Sequence, residues 1–89
     1  MHVIYVDDER PALENFRFTA AKIEEIASFE MFQDGEEALE FVKNNVVDVA
    51  FLDMEMPGIH GLELAKKIKE YDTEIRIVFV TAYGQYALE

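Results

Sequence analysis

Three carboxylates and a hydroxyl stand where chemistry would gather: Asp7 and Asp8, with Glu9 beside them, then Asp53, then Thr81. Each follows a short apolar run, so each would close a strand. Three carboxylates drawn into one crevice repel, and at least one holds its proton unless a cation neutralises the group. Oxygen ligands with room for water suit Mg²⁺ better than any softer metal. A divalent ion beside a carboxylate serves phosphoryl transfer, drawing charge from the phosphoryl oxygens while an oxygen nucleophile attacks in line. Thr81 would then offer its hydroxyl to a phosphoryl oxygen. The plainer reading is that Asp7, Asp8 and Glu9 cap a helix, where acids suit the dipole.

The chemistry requires elements that bring these ends together. Val3-Ile4-Tyr5-Val6 reads as a buried strand, β-branched and aromatic. Leu13, Phe16, Ala20 and Ile23 recur at helical spacing across residues 10–26, with Pro11 tolerated in the first turn. Phe29-Glu30-Met31-Phe32 is a second strand. Asp34 with Glu37 forms a capping-box pattern ahead of the stripe Ala38, Leu39, Val42. Residues 46–52 make a third strand, and Pro57, Gly58 and Gly61 a loop. Leu64, Ala65, Ile68 and Tyr71 stripe a third helix, and residues 75–80 form a fourth strand. Residues 85–89 read as one helical turn.

This βαβαβαβ order, with nearly continuous apolar strands, predicts an α/β fold: a doubly wound parallel sheet in a single domain spanning residues 1–89. In such sheets ligands collect beyond the carboxyl ends of the strands, where Asp7, Asp53 and Thr81 stand.

Composition narrows the partners. Nineteen acidic residues against eight basic ones leave a net charge of −11, which repels nucleic acid and anionic membranes and favours cations and basic protein surfaces. No cysteine and only two histidines exclude a thiolate zinc site or a disulfide framework. The N-terminal run is cut short by acids, unlike a signal peptide, and no apolar stretch is long enough to cross a bilayer. The expected location is the cytoplasm.

Three segments carry a resemblance: Val6-Asp7-Asp8-Glu9-Arg10-Pro11-Ala12, Phe51-Leu52-Asp53-Met54-Glu55-Met56-Pro57-Gly58-Ile59-His60-Gly61, and Phe79-Val80-Thr81-Ala82-Tyr83. In this order and at these strand ends they resemble the receiver domain of two-component response regulators, and most of all receivers that drive LytTR-type outputs. The resemblance implies a flavodoxin-like strand order of 2-1-3-4. It implies that Asp53 accepts a phosphoryl group from a histidine kinase. Asp7 and Asp8 then hold Mg²⁺ together with Asp53 and the Glu55 backbone carbonyl. Thr81 becomes the switch hydroxyl and Ala82 the small residue beside it. Pro57 and Gly61 shape the loop, while Glu55 and Tyr83 modulate the lifetime of the phosphorylated state. The role is regulatory, not that of an enzyme.

Receivers of this family add a fifth strand and helix, including a lysine that pairs with the phosphoryl group. No residue after Thr81 matches that lysine, so the chain reads as a receiver lacking its fifth βα unit. This raises an alternative: a degenerate receiver that binds partners without a phospho-switch. It also predicts that the fourth strand is an open edge through which copies associate.

Overall fold

The computed structural model describes residues 1–56 and 59–80, and the backbone of residues 86–88. The elements are β1 (His2–Val6), α1 (Arg10–Ala20), β2 (Ser28–Phe32), α2 (Gly35–Asn44), β3 (Val49–Asp53), α3 (Gly61–Tyr71), β4 (Arg76–Val80) and β5 (Tyr86–Leu88). The sheet runs β2-β1-β3-β4-β5, with the first four strands parallel in the expected 2-1-3-4 order. Among the described residues there is no fifth parallel strand or helix beyond it. No helix in them is long and apolar enough to cross a membrane.

The two faces of the sheet differ in coverage. Ile4, Val6, Ala50, Leu52, Ile77 and Phe79 lie at 0–3% exposure in one cluster with Ala38 and Val42 of α2 and Leu64, Ala65 and Ile68 of α3. Complete burial of a large apolar side chain is worth roughly 1.5–3 kcal/mol, so this face carries most of the stability. The other face meets α1, whose Phe16 touches Tyr5 at 4.7 Å and Phe51 at 5.6 Å between ring centroids. There Phe51, Val78 and Val80 are only half-buried.

Several boundaries depart from the sequence expectation, each for a geometric reason. The apolar stripe predicts a first helix reaching residue 26, but α1 ends at Ala20 and Ile23 is exposed. Eleven helical residues span about 16 Å, as do five strand residues, so α1 returns the chain to the level at which β2 must start. There Ala27 N–H donates to the Met1 carbonyl. The third strand begins at Val49, not at residue 46, because Asp48 is held at the sheet edge. Its N–H donates to the His2 carbonyl, and its carboxylate accepts from the His2 N–H at 2.7 Å.

The tail is the larger correction. The sequence predicts a helical turn over residues 85–89 and an open edge at β4, yet residues 86–88 form β5, antiparallel to β4. A parallel return needs a crossover of a dozen or more residues, and only residues 81–85 separate the two strands. An antiparallel return is the pairing so short a connection permits, and a single helical turn gains too little to nucleate. β5 therefore occupies part of the edge, opposite Val78, Phe79 and Val80, and the fully open edge expected for association does not exist.

Candidate functional site

β1 and β3 are neighbours in register, Val6 opposite Leu52, so the residues just beyond them meet. Asp7, Asp8 and Asp53 each present a carboxylate oxygen, and these oxygens lie within 4.8 Å of one another. Asp7 is 6% exposed, whereas Asp8 and Asp53 are half-buried. Asp7 and Asp53 open into a cleft of about 280 Å³, bordered also by Tyr5, Glu9, Ala12, Glu55 and Val80. The three acids picked from the sequence are thus brought together.

Two of these carboxylates are held by the same local device. Asp7 Oδ1 accepts the Glu9 N–H at 3.0 Å, and Asp53 Oδ1 accepts the Glu55 N–H at 3.2 Å. Each turn, closed two residues on, bends the chain out of its strand. The capping alternative fails in this respect: Glu9, the residue before α1, makes no side-chain cap, and the first turn of α1 holds no acid. Asp34 does cap its helix, accepting the Glu36 N–H at 3.0 Å. His60, exposed just before α3, caps that helix by accepting the Leu62 N–H at 3.3 Å through Nδ1.

Electrostatics follow from this crowding. Asp53 is pushed up from the ordinary 3.8 to about 6, first because burial disfavours its charge, and further by the negative charges of Asp7 and Asp8 and a hydrogen bond shared with Asp7. The Glu55 N–H opposes the rise. Among the described residues both ion pairs, Arg17–Glu14 and Lys67–Glu63, are exposed pairs along helices and neither reaches the cleft. The donor set is therefore all oxygen, negatively charged and without a protein cation, which fits a hard divalent ion that keeps some of its water.

Gly61 stands behind the cleft. A Cβ there would overlap the Asp53 carbonyl oxygen and lie 2.8 Å from Met54 Cα and 3.0 Å from the Asp53 carbonyl carbon. Its N–H donates to the Met54 carbonyl at 3.3 Å, closing the loop after β3. Pro57, Thr81, Ala82 and Tyr83 lie outside the described residues.

Tyr5 is the residue that sequence reasoning missed. It reads as one more apolar strand position, yet its hydroxyl donates to Asp7 Oδ2 at 3.2 Å. The signal available was the spacing: Tyr5 and Asp7 are two apart on a strand and share a face.

The model of the response regulator receiver domain family matches residues 3–89. The sensory transduction protein LytT of Oceanobacillus iheyensis is 34% identical over 91 residues, covering 100% of this chain and 37% of that protein. The transcriptional regulatory protein YpdB of Escherichia coli K12 is 34% identical over 89 residues, covering 100% of this chain and 36% of its own length. This chain thus spans little more than a third of these relatives. The solved CheY-like receiver domain protein of Methanospirillum hungatei superposes with a TM-score of 0.82 at 23% identity, covering 94% of this chain and 66% of the other. That likeness speaks to the fold.

Proposed function

This chain belongs to the response regulator receiver domain family, and we propose that Asp53 is its phosphoacceptor, taking a phosphoryl group from a histidine kinase. The observation that carries the reading is the meeting of Asp7, Asp8 and Asp53 at the adjoining ends of β1 and β3. Asp53 Oδ1 accepts the Glu55 N–H, and we assign the attack to Oδ2. It forms a new O–P bond as the P–N bond of a phosphohistidine breaks, and the electron pair leaves on the imidazole. Without an ion the Asp53 carboxyl is raised to about 6; a cation held by the cluster would relieve that rise and keep Asp53 ionised for attack.

Asp7, Asp8 and Asp53, with the Glu55 backbone carbonyl, would hold Mg²⁺. When bound, the ion neutralises the cluster and the charge on the transferring phosphoryl oxygens. Thr81 supplies a hydroxyl to the phosphoryl group, Ala82 keeps the approach open, Pro57 and Gly61 shape the loop, and Glu55 and Tyr83 modulate how long the acyl phosphate lasts. The role is regulatory and the setting cytoplasmic, with no direct nucleic-acid contact by so acidic a domain.

The test is incubation with a small-molecule phosphodonor and Mg²⁺, read by intact mass. One phosphoryl adduct on the wild type that disappears in Asp53→Asn is expected. No adduct on the wild type, or an adduct that survives Asp53→Asn, rejects the phosphoacceptor role.

A further inference from the structure

Asp7 is the most buried acid of the cluster, at 6% exposure, and both of its oxygens are engaged from the protein side. Oδ1 accepts the Glu9 N–H at 3.0 Å and Oδ2 accepts the Tyr5 hydroxyl at 3.2 Å. Two donors on two oxygens fix the plane of a carboxylate that one donor would leave free to swing. Each oxygen keeps a lone pair, and with the plane fixed these are the acceptors that Asp7 presents to the cleft shared with Asp53.

The phenol is itself held. Its ring stands edge-on to Phe16 of α1 at 4.7 Å with planes at 63°. It lies nearly parallel to Phe51 of β3 at 6.2 Å and 22°. Tyr5 is 8% exposed, so its ring cannot swing away from Asp7 without shifting a ring of α1 or of β3. Such aromatic contacts are worth about 0.5–1.5 kcal/mol each beyond their burial.

Resting on the metal-binding reading above, we infer that Tyr5 is a positioning residue for Mg²⁺: its hydroxyl fixes the orientation in which Asp7 receives the ion. Tyr5 touches no metal; it acts through Asp7. Groups that orient a ligand in this way typically change metal affinity by about 10–100-fold when removed.

The experiment measures Mg²⁺ affinity of the full chain by titration with MgCl₂, followed by NMR shifts of the Asp8 and Glu9 amides, in wild type, Tyr5→Phe and Phe29→Leu. Tyr5→Phe deletes the hydroxyl and keeps the ring. Phe29→Leu loosens the same aromatic cluster, since Phe29 meets Phe16 at 5.8 Å, without touching the hydroxyl. Far-UV circular dichroism establishes that each variant is folded. Tyr5→Phe is expected to bind about tenfold more weakly, and Phe29→Leu within about twofold of wild type. The Mg²⁺-induced ultraviolet difference band of the phenol should be lost in Tyr5→Phe. If Tyr5→Phe binds like wild type, or if Phe29→Leu weakens binding as much, the positioning role is overturned while the metal site stands. If the wild type itself does not bind Mg²⁺, both readings fall together.

Discussion

Replacing Gly61 with alanine adds one methyl group and should damage both the fold and the site. The new Cβ would overlap the Asp53 carbonyl oxygen and crowd Met54 Cα at 2.8 Å and the Asp53 carbonyl carbon at 3.0 Å. All three are backbone atoms at the end of β3 and cannot turn aside as a side chain can. They are anchored as well, since Asp53 pairs with Val80 and Met54 N–H donates to the Val80 carbonyl at 3.2 Å. The first turn of α3 must therefore retreat, drawing Leu64, Ala65 and Ile68 away from the core they fill at 0–7% exposure.

Overpacking of this kind costs about 1–3 kcal/mol, and alanine's better helix propensity returns up to about 1 kcal/mol at a helix interior, less at this first position. A net loss of about 2 kcal/mol lowers the melting temperature of a domain this size by about 8–16 °C. The displaced Asp53–Met54 backbone should also weaken Mg²⁺ binding. Gly35→Ala is the control. Its Cβ meets only side-chain atoms, of Ile59 and of Leu64, and Ile59 is half-buried, so it can yield. Thermal melts and MgCl₂ titrations of both variants decide the matter. The reasoning is refuted if Gly61→Ala melts with the wild type, or if Gly35→Ala loses more stability and more affinity than Gly61→Ala.

Three further outcomes follow from the site and its caps. Asp53 sits near 6 against an ordinary 3.8, so the native state binds that proton more tightly than the unfolded chain. The contribution of Asp53 to metal-free stability should be fully present below about pH 4, be lost between about pH 4 and 6, and stay absent above. Asp53→Asn should abolish that slope and gain about 1 kcal/mol near neutral pH, a figure reduced for the solvent that screens a half-exposed carboxyl; urea melts across the range measure it. Mg²⁺ should reverse the order: with ion at about ten times its dissociation constant the wild type gains about 1.4 kcal/mol, and Asp53→Asn should gain much less in the same melts. Asp34→Ala removes the cap on the Glu36 N–H and should cost about 1 kcal/mol in thermal melts with Mg²⁺ affinity unchanged.

What the sequence disclosed, and what it withheld, has a physical pattern. Asp7 and Asp53 could be placed together because strand ends in a parallel sheet share one edge, so their meeting follows from order alone. The core stripes Ala38–Val42 and Leu64–Ile68 were legible because a buried helix face repeats. The end of α1 was not, since Ile23 keeps the apolar spacing while the length of β1, three elements' worth of geometry away from any one residue, decides where the helix must stop. β5 was not, because an antiparallel return depends on an edge that exists only once the other four strands are assembled. Tyr5 was hidden by its own chemistry: the same side chain packs as a core aromatic against Phe16 and Phe51 and hydrogen-bonds as a polar group to Asp7, and a hydropathy pattern registers only the first.

The forces that shape this site are of two ranges, and they divide its work. Orientation is local: Asp7 and Asp53 each take the N–H two residues on, and Tyr5 reaches Asp7 from two residues before. These bonds each span two residues along the chain and need no cation. Repulsion is long-range, since Asp7, Asp8 and Asp53 come from segments some 45 residues apart in the chain and meet only when β1 pairs with β3. Asp7 and Asp53 are therefore held in place before any ion arrives, and a cation would gain the relief of the cluster's repulsion without first having to order these two. A pre-organised, under-neutralised cluster of this kind gives binding energy to charge rather than to rearrangement. On the proposed phosphoacceptor reading, that is the quality required of a site that takes a phosphoryl group beside the same carboxylates.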